Sequence, residues 1–390
     1  MQSSECPSPL LKLPPELILS ILHFLPDVST LRSAILSHSS FHLVFGTNND
    51  AIITRFLSRV VSAELLPEAL AVWVSSRVQR WTPERVSGVL SLYRSRRRIV
   101  RLRGLSLVDA LAIEELHLCV CSFVDMFAAA ALSEHPFTER LETRPSPLSS
   151  SEWRRVASSF YRAELCTNLF RPRGSQYAGS PYRHIPDILL NHFHVWEIEQ
   201  LGCVSEFVYR ELCKRLKGDM DITWGRSSLG DTDVVIWEGQ KRQFFSCGLR
   251  VLRQLLALDS ANERCALLAP RLHSSRHFLQ HAVWHVHAEL DNYSHDGDWS
   301  GSQGLFDDDR DNQVEVLTGS PLSEDLDLGP AAAFTWVTEL LGRRDFVCSL
   351  TPLSCRARGY VMWDYTRLAT WGFFKDPWGS TSAQDSVDIN

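Results

Sequence analysis

This 390-residue sequence is poor in lysine and has no long apolar run, no paired-cysteine motif and no glycine-rich phosphate loop. Its apolar stretches fall short of the roughly 18–20 residues that cross a bilayer. The opening MQSSECPSPLLKLPPE has neither a basic start nor an apolar signal core. These absences predict a protein of the cytoplasm or nucleus with no membrane partner. Ten cysteines are too dilute for a disulfide scaffold, and the nearest pair, Cys119-Val-Cys121, is not a CxxC. Cys166, Cys203, Cys213, Cys247 and Cys265 fall in apolar stretches, which predicts reduced, buried thiols acting as small hydrophobes. Gly-x-Ser-x-Gly, Walker and Gly-x-Gly-x-x-Gly motifs are missing, and the nearest approach, GRSSLGD at 225–231, lacks a lysine and a preceding apolar strand. No period of 20–50 residues marks a solenoid or propeller, and Trp363-Asp364 stands alone. A formal charge of −6 argues against a surface built throughout for nucleic acid.

The chain does carry core-forming material. Apolar residues make up 44%, with 12 tryptophans and 19 phenylalanines to fill an interior. The length suits one large domain or two to three ordinary ones. In Leu13-Pro14-Pro15-Glu16, proline opens a helix where its missing N–H costs nothing, and Glu16 suits the positive helix end. Leu17, Ile18, Ile21, Leu22 and Leu25 then recur on one stripe until Pro26-Asp27 ends the helix. Ser29 or Thr30 is expected to cap a second helix carrying Leu31, Ala34 and Ile35, with Leu36, Ser37 and Phe41 in a turn beyond it. After Gly46 the run Thr47-Asn48-Asn49-Asp50 offers caps for a third helix bearing Ile52, Ile53, Phe56, Leu57, Val60 and Val61. Three helices in about 45 residues lie near the lower limit for independent folding, so their surplus apolar surface needs a partner.

Leu13-Pro14-x-Glu16-Leu17, Ile21-Leu22, Leu25-Pro26, Leu31 and Ser37…Phe41 together resemble the F-box pattern, over about one eighth of the chain. The resemblance implies a three-helix module, here residues 10–62, that docks on the Skp-type adaptor of a cullin-RING ubiquitin ligase. Carried over by position, the adaptor-binding set is Leu13, Pro14, Glu16, Leu17, Ile21, Leu22, Leu25, Leu31, Leu36 and Phe41. Where many F-boxes have Val-Cys-Lys-x-Trp, this chain has Leu36-Ser37-His38-Ser39-Ser40-Phe41, one residue longer and without the lysine and tryptophan. Trp196-Glu197-x-Glu199 and the later RGYVMWD…RL…WG resemble F-box-like proteins of filamentous fungi, a likeness that brings no substrate with it. Five lysines against 35 arginines would limit self-modification of a ligase subunit, although genomic base composition explains the same bias.

The remainder, 63–376, reads as a helical body with little or no sheet. Helices are expected at 65–73, from Thr82-Pro83-Glu84, from Ser106 to about Leu132, from Ser150 or Ser151, over 186–218, over 244–258, over 272–290 and over 331–341. Proline- and serine-rich 142–151 and 171–181 read as linkers, and 291–329, rich in Asp, Gly and Ser, as a mobile acidic loop. Residues 1–9 and 377–390 read as flexible ends, and 233–237 as a short strand.

Three features invite a chemical reading. His277, His281 and His285 recur at i, i+4 spacing, with His287 and His295 following, and Asp291 is available as a further ligand. There is no His-Glu-x-x-His and no nearby thiolate, so an exposed helix face is the expectation and a metal-dependent enzyme the remote alternative. His192 and His194 would diverge on a helix, and 292–303 lacks the ligand pattern of a calcium loop. Six arginines at 94–103 form the strongest charge cluster, best read as a solvated face leading into a buried helix. The chain is therefore expected to be mainly α, to bind no metal or cofactor and to catalyse no reaction. It would recruit an unknown protein substrate to an adaptor and, through it, to a cullin. The alternative is an interaction protein with an F-box-derived N-terminus and no ligase role.

Overall fold

A computed structural model describes residues 13–78, 82–94, 104–133, 146–170, 192–216, 247–272, 327–348 and 355–375. The described residues are mainly helical and contain no strand. Three helices open the chain: α1 (Pro15–Phe24), α2 (Val28–Ser37) and α3 (Ser39–Val60). The body follows with α4 (Leu66–Ser76), α5 (Pro83–Arg94), α6 (Leu107–Leu132), α7 (Ser150–Phe170), α8 (Val195–Leu216), α9 (Leu249–Ala257), α10 (Ala261–Leu272) and α11 (Gly329–Cys348). A 3-10 turn (Tyr360–Met362) and α12 (Tyr365–Trp371) complete it.

Helix α6 is apolar on almost every side, the pattern of a helix with neighbours all round. It meets α2, α3, α4, α7 and α9. Its start is a capping box, in which the Asp109 N–H donates to Ser106 Oγ and the Ser106 N–H to Asp109 Oδ2. Behind it Phe123, Phe127, Phe160 and Phe207 interlock, with Phe123–Phe160 and Phe127–Phe207 centroids each 5.3 Å apart, and Trp363 closes on Phe127 at 6.1 Å. One apolar cluster runs unbroken from Ile18 on α1 to Phe373 beyond α12.

Several local expectations need correction. Asp27, in an extended conformation, caps α2 by accepting the Thr30 N–H at 2.6 Å, so neither Ser29 nor Thr30 does so. The third element begins at Ser39 and takes in Phe41, which the sequence placed in a turn. At Asn48 (φ −125°, ψ 18°) the helical backbone breaks, and the helical run that carries Ile52 to Val60 restarts there as the polar run Thr47–Asp50 predicts. There the Asn48 amide donates to the Val44 carbonyl at 2.9 Å and the Thr47 hydroxyl to the same oxygen at 3.0 Å. The polar run thus satisfies the bend from inside. Ser149 caps α7, with Glu152 closing the box through the Ser149 N–H at 2.9 Å. The block expected over 186–218 breaks at Phe193–His194, and α9 starts only after Gly248, whose φ is +90°. Helix α11 is longer than expected at both ends. The proposed strand at 233–237, the helix beyond 272, the linker 171–181, residues 142–145 of the linker 142–151 and nearly all of the acidic loop 291–329 lie outside the described residues.

Candidate docking face

Helix α1 buries Ile18 and Leu22 against the core and leaves the other flank of its stripe bare. Leu17 is 51% exposed, Ile21 38% and Phe24 80%, all within two turns. Leu36 on α2 is 72% exposed and Leu43 on α3 69%, so each of the first three helices carries a large bare side chain. Pro14 and Glu16 are also exposed, while Leu13 and Leu25 are half-buried. Leu22, Leu31 and Phe41 are buried among the chain's own side chains. The ten expected docking residues therefore divide: Pro14, Glu16, Leu17, Ile21 and Leu36 face out, and Leu22, Leu31 and Phe41 form the floor. Phe24 and Leu43 were missed. Phe24, seven residues after Leu17 and three after Ile21, was legible by helical spacing. Leu43 was hidden because the sequence suggested a turn there.

The bare stripe is held firmly at its C-terminal end. The Arg59 guanidinium, stacked 4.8 Å over the Phe56 ring, donates to the carbonyls of His23 (3.2 Å) and Pro26 (3.1 Å) and to that of Leu25 between them. Glu114, buried on α6, accepts the Val28 N–H at 3.0 Å. Burial, with the nearby Asp27 charge adding, lifts the Glu114 pKa against the pull of that hydrogen bond.

A second set of charged contacts is internal. Arg162 on α7 pairs with Glu197 at 2.6 Å and donates to Gln200 (2.9 Å) and the Tyr93 hydroxyl (3.0 Å). Glu199 holds Arg356 through two bonds of 2.7 and 2.8 Å, and Gln200 donates to the Val361 carbonyl at 2.9 Å. Glu152 grips Arg367 likewise at 2.6 and 2.7 Å, and Arg155 reaches Asp364 at 2.7 Å and the Met362 carbonyl at 2.9 Å. Glu199 and Gln200 on α8, with Glu152 and Arg155 on α7, thus clasp the segment 356–367, which holds the RGYVMWD residues. These carboxylates and guanidinia neutralise one another.

His194 stacks on Trp196 with centroids 4.4 Å apart, and His192 lies beside the break before α8. Buried His117 sits with Nδ1 2.8 Å from the Tyr161 hydroxyl and Nε2 3.5 Å from Cys121 Sγ, and burial lowers its pKa. Burial raises the thiols of Cys119, Cys166 and Cys355 to about 12, far from the range of an activated nucleophile. Among the described residues no three of His, Cys, Asp and Glu converge to hold a metal. His277, His281, His285, His287 and His295 lie outside them, as does the arginine cluster beyond Arg94. No described helix is long and apolar enough to cross a membrane. No known protein family, curated protein or solved structure matches this chain.

Proposed function

We propose that this chain is the F-box adaptor subunit of a cullin-RING (SCF-type) ubiquitin ligase. It would dock on a Skp-type adaptor through α1–α3 and recruit a protein substrate through its helical body. The observation that carries the reading is the bare stripe Leu17, Ile21 and Phe24 on the helix where the LPxEL pattern lies, with Leu36 and Leu43 also exposed on the two helices that follow. Large exposed apolar side chains grouped on one face mark interaction sites. The chain would perform no bond chemistry. It would raise the local concentration of substrate lysines near the charged conjugating enzyme, in the cytoplasm or nucleus.

Binding to a purified Skp-type adaptor, measured by calorimetry, tests this. A stable complex is expected, and Leu17→Ala or Phe24→Ala should each cost about 1–3 kcal/mol, the range of truncated interface anchors. Absence of any complex, or alanine variants that bind as well as the parent, would sink the proposal. A second reading is an interaction protein with an F-box-derived N-terminus and no ligase role. It draws on the burial of Leu22, Leu31 and Phe41 and on the altered 36–41 segment. It predicts that affinity capture returns partners but neither a Skp-type adaptor nor a cullin.

A further inference from the structure

Two of the three helices that carry the bare side chains, α1 and α2, meet at the corner formed by residues 25–27. Leu17, Ile21 and Phe24 stand before the corner and Leu36 after it. Packing on α3 seats both helices, and the corner, which has little internal support, sets how the end of α1 joins the start of α2. The end of α1 closes only through a Leu25 N–H to Leu22 carbonyl contact of 3.4 Å, and the helix leaves further carbonyls without helical partners.

Two charges from outside the corner complete it. Arg59 on α3 covers three outlying carbonyls, at His23, Leu25 and Pro26, with one guanidinium braced on Phe56. Glu114 on α6 takes the first N–H of α2 from within the body, beside the local cap from Asp27 to Thr30. The cation sits at the carbonyl end of α1 and the carboxylate at the amide end of α2, the arrangement both helix dipoles favour.

We infer that Arg59 and Glu114 are positioning residues for partner docking: together they lock the α1–α2 corner so that the partner meets a preformed face. This rests on the docking reading above. It also makes the body part of the docking apparatus, because Glu114 belongs to α6. A face ordered in advance spares the partner the entropy of ordering it.

The test uses the full chain as Arg59→Ala, Arg59→Lys, Glu114→Ala and Glu114→Gln, with Leu17→Ala as the contact control. Amide hydrogen exchange is measured on the free proteins, and affinity against a purified Skp-type adaptor. In the free state Arg59→Ala and Glu114→Ala should speed exchange at 22–30 while amides of α7 keep their protection. Both should weaken adaptor binding about tenfold through lost pre-organisation. Glu114→Gln keeps an acceptor for Val28 and should restore affinity, and Arg59→Lys, with fewer directed donors, should fall between. If Leu17→Ala loses binding but Arg59→Ala and Glu114→Ala do not, the positioning inference falls and the docking reading stands. If the parent chain binds no adaptor, both fall. If exchange at 22–30 is unchanged in free Arg59→Ala and Glu114→Ala, the lock itself is refuted, whatever the partner.

Discussion

A Cβ added at Gly359 would stand 2.6 Å from Phe127 Cζ, in a backbone held at φ +63°. Phe127 is fully buried between Phe207 and Trp363 and has nowhere to go. Gly359→Ala should therefore cost about 2–4 kcal/mol, backbone strain and overpacking combined. Gly104 has a similar φ of +79° with open space around it, so Gly104→Ala should cost only about 1 kcal/mol. Urea titration of the two variants separates strain from packing, and equal losses would refute the Phe127 argument. His117 supplies a pH dependence. Its folded pKa lies below the ordinary 6.5, so the unfolded chain binds the extra proton. Its stabilising contribution is whole above pH 6.5 and is lost as pH falls through the lowered value. Urea midpoints of the parent should drop more steeply below pH 6.5 than those of His117→Gln, and parallel profiles would contradict this. At this scale the sequence was legible in part. Helical spacing identified the apolar stripe of α1, but Ile21 and Leu22 are neighbours on it, one bare and one buried. A stripe wider than a single packing contact does not reveal which flank the rest of the chain will cover.

Helices were the most legible level, because their apolar period and proline starts are local signals. The start of α6 at Ser106, its end near Leu132 and the opening of α5 at Thr82-Pro83 all follow from short-range chemistry. The misplaced starts of α2 and α7 have a common origin: where several polar residues adjoin, each could cap, and geometry selects one. At α7 the glutamate three residues after Ser149 was the available clue. What joins the helices was not legible at all. Nothing near Glu199 in sequence announces Arg356, 157 residues away. Breaking that pair should be costly, since Glu199 is wholly buried. Arg356→Met is expected to lose about 3–5 kcal/mol, and the double change Arg356→Met with Glu199→Met much less, because no buried charge is then stranded. Denaturant unfolding of the single and double variants gives the answer. A double variant as unstable as the single would mean that the loss comes from packing and not from charge.

Over the whole molecule, the unbroken apolar cluster makes the N-terminal helices part of the same interior as the body. Helices α2 and α3 cover one flank of α6, and Asn49 and Asp50 bond the Leu105 carbonyl and Gly104 N–H at 3.1 Å each. A chain of residues 63–375 alone should therefore bare that flank, melt at lower temperature and self-associate. A monomeric fragment with an unchanged melting temperature would show the body to be autonomous. The clasp has a further consequence, for how the chain is made. Glu152 and Arg155 on α7 must wait 215 and 207 residues for Arg367 and Met362, and Gln200 waits 161 for Val361. At translation speeds of about 5–20 residues per second, the longest wait is about 10–40 s. Through that interval α7 and α8 exist on the ribosome without the segment that neutralises Glu152, Arg155 and Glu199. Ribosome-arrested chains halted before residue 355 should remain protease-sensitive across α7 and α8 and retain bound chaperones, with protection arriving only once α12 has emerged.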